Sequence, residues 1–131
     1  MAAGADIIDG TGINPDVAAL REVAGSTCPL RDSNPYCFAE AIAPHLAARH
    51  ENTVVEMHVI GAAFERLKAD ADTVLVEGAG GFLVPLSASQ SMADIPAFLA
   101  LDVVLVVGMR LGVLNHAVLT VEAIKAAQAR R

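Results

Sequence analysis

Glu77 closes the apolar run Thr73, Val74, Leu75 and Val76 and opens directly into Gly78, Ala79, Gly80 and Gly81. A carboxylate delivered from a buried run is costly unless a cation or a donor pairs with it. A magnesium ion beside a nucleotide meets that need, because Mg²⁺ takes one or two carboxylates and completes its shell with phosphate oxygens and water. Capping a helix or pairing with an arginine meets it equally, and the residues alone leave both readings open. Residues 78–81 let a phosphate approach the backbone closely, or they form an ordinary tight turn. The string matches neither G-x-G-x-x-G nor G-x-x-x-x-G-K-[ST]. A second loop, residues 108–116 (Gly-Met-Arg-Leu-Gly-Val-Leu-Asn-His), leads from another apolar run into a helix. Free N–H groups at such a helix start attract anions; a plain strand-to-helix connection is the competing reading. His116 and His45 read as partly buried histidines, His50 and His58 as helix or surface residues. Ser87, Ser89 and Ser91 lack the G-x-S-x-G setting of a serine hydrolase. The only lysines, Lys68 and Lys125, follow no glycine, so residues 1–131 contain no lysine-bearing phosphate loop.

These loops need elements to hold them. Residues 1–13, rich in Gly, Asp and small side chains, read as loop. Asn14, Pro15 and Asp16 open a helix: Asn14 caps, Pro15 suits the first helical position, and Asp16 complements the first-turn dipole. Val17, Leu20 and Val23 give that helix an apolar face, and Gly25 ends it. Residues 26–37 are turn-like. A short helix is predicted over 38–42 or 38–49, with Pro44 as its uncertain point. Met57, Ile60, Phe64 and Leu67 at helical spacing predict a longer helix over 53–70. Residues 73–77 and 103–107, continuous and rich in Val and Leu, predict two buried parallel strands. Residues 92–100 predict a short helix, and 115–130 a last one with Ala117, Val121 and Ile124 on one face. Strands alternating with helices mean an α/β fold with a parallel sheet and crossover helices, whose ligands gather beyond the carboxyl ends of the strands.

The chain has 131 residues, so it is one domain or part of one. The composition, 54% apolar and 18% charged, argues against disorder. Net charge is −6, and the one adjacent basic pair is Arg130 and Arg131, which argues against a nucleic-acid partner. The stretch 95–107 is interrupted by Asp102 and falls short of the about 20 residues a membrane span requires. The start of the chain, with Asp6 and Asp9 and no basic cluster, does not read as a signal peptide. Cys28 and Cys37 read as plain thiols of a reducing, cytoplasmic compartment.

Four segments resemble the dethiobiotin synthase family, in the family's order. Residues 74–86 (VLVEGAGGFLVPL) are similar to its "VLVEGAGG…PL" segment, and residues 106–117 (VVGMRLGVLNHA) to its "VVG…LG.(I/L)NHA" segment. Residues 34–40 with Pro44 and His45 resemble "NPY.F.E…SPH". Asn14, Pro15 and Asp16, followed by Val17, Ala19 and Leu20, occupy the place of the family's acidic metal-site helix. The resemblance implies a P-loop NTPase-like fold, present incompletely, with residues 1–131 as one partial domain. It also implies closure of a urea ring on diaminopelargonic acid, using ATP, carbon dioxide and Mg²⁺, in a cytoplasmic homodimer. By family position Asp16 and Glu77 hold magnesium and face the ATP phosphates, Gly78, Ala79 and Gly80 line the same site, and Gly112, Val113, Leu114 and Asn115 hold the substrate carboxylate across the dimer interface.

The departures are as informative. The family's phosphate loop and its "KPV" lysine fall before Met1, Ala3 stands where some members carry a substrate-binding serine, and the adenine-recognising part falls after Arg131. The sequence therefore reads as a central fragment that is inactive alone. Two alternatives stand beside it: a non-enzymatic remnant able only to associate with intact subunits, and a related ATP-dependent amidoligase or ATPase.

Overall fold

The structure is a computed structural model that describes residues 1–8 and 11–129. Asp9, the Arg130–Arg131 pair and the last residue of the helix expected over 115–130 lie outside them. The element order is β1 (Ala2–Ala3), β2 (Asp6–Ile8), β3 (Thr11–Ile13), α1 (Pro15–Val23), α2 (Leu30–Ser33), β4 (Cys37–Phe38), α3 (Pro44–His50), α4 (Met57–Asp70), α5 (Asp94–Phe98) and α6 (Val113–Gln128).

The class is α/β with a parallel sheet and helices. β1 pairs in parallel with β4, Ala2 opposite Cys37 and Ala3 opposite Phe38, and the connection between them carries α1 and α2. Backbone bonds extend the pairing at both ends: Ala2 N donates to Tyr36 O (2.8 Å), Ala5 N to Phe38 O (3.0 Å) and Gly4 N to Glu40 O (3.1 Å). The sheet is not where the apolar runs placed it. Among the described residues, neither 73–77 nor 103–107 is paired as a strand. A strand exists through hydrogen bonds to a neighbour, and these runs have none beside them. Their side chains stand out accordingly, with Leu75 90% and Val106 87% exposed. The expected opening loop also holds structure, since β2 and β3 form an antiparallel pair with Asp6 opposite Ile13.

Helix starts follow local chemistry. Pro44, expected to interrupt a helix, opens α3 at its first position, where a missing N–H costs nothing. α4 begins at Met57 and buries Met57, Ile60, Ala63 and Phe64 along one stripe. α1 is different: Leu20 and Val23 point outward and the helix buries none of its residues.

The core gathers around Phe38, which is 2% exposed, with Ala47 and Ala48 from α3, Met57 and Ile60 from α4, and Leu86, Met92 and Ile95. Burying a phenylalanine contributes about 3 kcal/mol, so Phe38 fixes β4 against the helices. Tyr36 stacks on it with centroids 6.3 Å apart, and its hydroxyl accepts from Glu56 N at 3.0 Å. This ties β4 to the start of α4. Asp32, buried in α2, pairs with Arg66 of α4 at 2.7 Å and docks the two helices together.

Candidate functional site

Asn14 organises the first part of the site. Its side-chain oxygen accepts from Asp16 N (3.0 Å) and Val17 N (3.2 Å), the geometry of a helix cap. Its amide nitrogen donates to Ala3 O (3.1 Å) and Gly4 O (3.4 Å) at the end of β1. Asp16 is thus the second residue of α1, exposed, in the first turn of a helix whose cap bonds to the carboxyl end of a parallel strand. That is where such sheets bind ligands.

Glu77 is exposed at the end of the unpaired run, so it is not a buried carboxylate awaiting a partner. Its position shows through its neighbour. The Met1 α-amine is pushed below its ordinary value by burial, while the charges of Cys37 and Glu77 pull it back up. Glu77 is thus felt on the Met1 side of β1, whereas Asp16 follows the Asn14 cap at the Ala3–Gly4 end. Exposed carboxylates are the hard oxygen donors that suit Mg²⁺, which needs few protein ligands when a nucleotide supplies phosphate oxygens. They do not fit a protein-only cage: among the described residues, no group of three or more His, Cys, Asp or Glu is arranged to hold a metal.

The glycine loop after Glu77 is a turn. Gly80 has φ +77°, and a Cβ there would stand 3.0 Å from Val84 Cγ2, so the position requires glycine for the turn itself. Ala79 packs against the core cluster, and Gly78 is exposed beside Met92. The second loop is separate. Gly112 caps α6 with φ +90° and open space around its Cα. α6 starts at Val113, two residues earlier than periodicity suggests, with Leu114 79% exposed and Asn115 exposed. No side chain caps this helix; Val113 N donates to Arg110 O (3.0 Å) instead. α6 packs on α5, and its exposed Leu114, Val118 and Val121, at i, i+4 and i+7, form an apolar strip.

Neither loop lines a further cleft. That cleft, about 400 Å³, lies over α3 and is lined by His45, Ala48, Arg49, Thr53, Leu86 and Ser87 among others. The Nδ1 atom of His45 is buried without a partner. Sequence reasoning also missed a polar network at the far end of α1. Arg21 donates to Ser33 Oγ (2.7 Å), to Cys28 O (2.7 Å) and to Cys28 Sγ (3.3 Å), and Ser26 Oγ shares a hydrogen bond with that sulfur (3.0 Å). Burial opposes ionisation of the Cys28 thiol, but the hydrogen bonds of Ser26, Arg21 and Ser33 and the Arg21 charge outweigh it and hold the thiol below its ordinary value. Cys37 goes the other way, because burial raises it more than Asn34 and the Met1 amine lower it. No motif signals the network; only the fold brings Arg21, Cys28 and Ser33 together. Among the described residues, no helix is long and apolar enough to cross a membrane.

A family described as an AAA domain matches residues 6–130. The chain is 50% identical over 126 residues to the ATP-dependent dethiobiotin synthetase of Aromatoleum aromaticum, covering 96% of this chain and 56% of that protein. It is 45% identical over 117 residues to the protein of the same name from Nitrosospira multiformis (89% and 52%), and 40% identical over 126 residues to that of Vibrio cholerae (96% and 54%). The chain spans about half the length of the curated relatives it matches.

Proposed function

The chain belongs to the AAA domain family, and on that premise we propose that it is the central part of an ATP-dependent dethiobiotin synthetase working in the cytoplasm in biotin synthesis. The carrying observation is the 50% identity to a relative of that name along 96% of the chain. Because that identity is nearly chain-long, it takes in both the Glu77 loop and the loop opening α6. This favours a dethiobiotin synthetase over other ATP-dependent ligases.

The reaction joins diaminopelargonic acid and carbon dioxide at the expense of ATP. One substrate amine takes up carbon dioxide as a carbamate, the carbamate oxygen attacks the γ-phosphate, and ADP leaves. The second amine then attacks the carbonyl carbon, closes the ring and expels phosphate, giving dethiobiotin. Phosphoryl transfer of this kind rests on positioning and charge neutralisation. Asp16 and Glu77, flanking β1, would hold Mg²⁺, which neutralises phosphate charge when bound. Gly78, Ala79 and Gly80 form the wall beside it, where little side-chain bulk leaves room for the nucleotide. At the other loop, where Val113 N is already bonded to Arg110 O, the N–H groups of Leu114 and Asn115 and the positive end of α6 suit the far carboxylate of the substrate. Val113 and Leu114 suit its aliphatic stem. The exposed strip on α6 favours a homodimer in which one subunit's loop completes its partner's site.

The test is Glu77→Gln in the full-length protein. Magnesium-dependent ATP turnover falls sharply if Glu77 is a metal ligand. Turnover with an unchanged magnesium requirement makes Glu77 structural.

A further inference from the structure

We infer that Asn14 is a positioning residue that sets the Asp16 carboxylate at the end of β1, an inference that rests on the reading of Asp16 as a magnesium ligand. α1 buries none of its own residues. Apolar packing, the usual anchor of a helix in a fold, is therefore slight, with Val17 only partly covered. What holds it is polar and sits at its two ends. At the far end Arg21 grips Cys28 and Ser33. At the near end stands Asn14, only 6% exposed and one of the few buried polar residues.

Capping alone does not explain an asparagine there. Serine, threonine and aspartate cap as well, because a cap needs only an acceptor. An amide side chain offers an acceptor and two donors on one rigid plane, and Asn14 uses both halves. The oxygen receives the Asp16 and Val17 N–H groups, while the nitrogen reaches the Ala3 and Gly4 carbonyls, 11 and 10 residues away. Those carbonyls belong to a firmly held segment: Ala2 and Ala5 are buried, and Ala2, Gly4 and Ala5 donate to Tyr36, Glu40 and Phe38. Asn14 thus transmits the fixed position of β1 to the first turn of α1. Asp16, whose own N–H it receives, is thereby held in the turn that the Ala3 and Gly4 carbonyls anchor. A metal site made of two carboxylates from distant parts of the chain depends on such placement, since a shift of about 1 Å loses the shared ligand.

The discriminating substitution is Asn14→Ser in the full-length protein, with Asn14→Thr as a second variant. Both keep a capping oxygen and lose the donor to β1, and neither adds charge. Affinity for ATP in the presence of magnesium is measured by calorimetry, at a temperature where circular dichroism shows every protein folded. Amide exchange at Asp16 and Val17 reports the cap. The expected result is retained protection of both amides with roughly tenfold weaker magnesium-dependent ATP binding, the scale of a lost hydrogen bond on a charged site. In an Asp16→Asn background the same substitutions cause no further loss. If either variant binds as the parent does while Asp16→Asn weakens binding, Asn14 is a cap only and the inference is overturned. If Asp16→Asn itself changes nothing, the reading of Asp16 fails, and the inference with it.

Discussion

Arg66 and Asp32 allow a prediction in which two substitutions of one ion pair differ in cost. Asp32 is 7% exposed and Arg66 52%, with both Nε and Nη2 of Arg66 at 2.7 Å from the same carboxylate oxygen. Arg66→Met keeps the apolar stem but leaves a buried carboxylate without its cation. Stranding such a charge costs about 3 kcal/mol, the low end of the range because the pair reaches solvent on one side. Asp32→Asn leaves an amide oxygen that still accepts from Arg66, and the half-exposed guanidinium stays hydrated. Its cost is about 1 kcal/mol. With a urea dependence of about 1.5 kcal/mol per molar for a chain of this size, the first lowers the unfolding midpoint by roughly 2 M. The second lowers it by less than about 1 M. Equilibrium urea unfolding followed by circular dichroism reads both shifts. Equal shifts, or a larger one for Asp32→Asn, would refute the argument that α2 is docked to α4 by a charge buried on one side only.

Three further outcomes follow from the site. Cys28, held below the ordinary thiol value by Ser26, Arg21 and Ser33, should react with iodoacetamide several times faster than Cys37, which burial raises. The difference shrinks as pH climbs past both thiols, and mass spectrometry of the alkylated peptides measures it. Asn115→Ala in the full-length protein should raise KM for diaminopelargonic acid about tenfold, from one lost hydrogen bond to a carboxylate, with KM for ATP nearly unchanged. Equal effects on both substrates would reduce the α6 loop to a connection. The 131 residues expressed alone, with no phosphate-loop lysine, should form no dethiobiotin from diaminopelargonic acid, ATP and bicarbonate.

Local chemistry was readable from the residues. Asn14 with Pro15 marked the start of α1, and Met57, Ile60 and Phe64 marked the buried stripe of α4. What spacing cannot carry is the identity of a neighbour. The run 73–77 has the composition of a buried strand, yet among the described residues no strand pairs with it, and Leu75 is exposed. Conversely Ala2–Ala3 and Cys37–Phe38 have no strand-like length, and pair because Phe38 anchors the core. The site divides the same way. Glu77 and the Gly112 loop are legible as strand-end and helix-start features, whereas the double bond of Asn14 and the grip of Arg21 on Cys28 depend on chain segments meeting in space. Pro44 is a related case, where one residue type serves as helix breaker or helix opener according to what precedes it.

The central claim is a reaction, and product formation tests it most directly. The full-length protein containing this chain is incubated with diaminopelargonic acid, bicarbonate, ATP and magnesium, and dethiobiotin and ADP are quantified together by mass spectrometry. The account predicts one ADP for each dethiobiotin, no product without magnesium, and a sharp fall in both with Glu77→Gln. ATP hydrolysis that proceeds unchanged without diaminopelargonic acid and yields no dethiobiotin would contradict it.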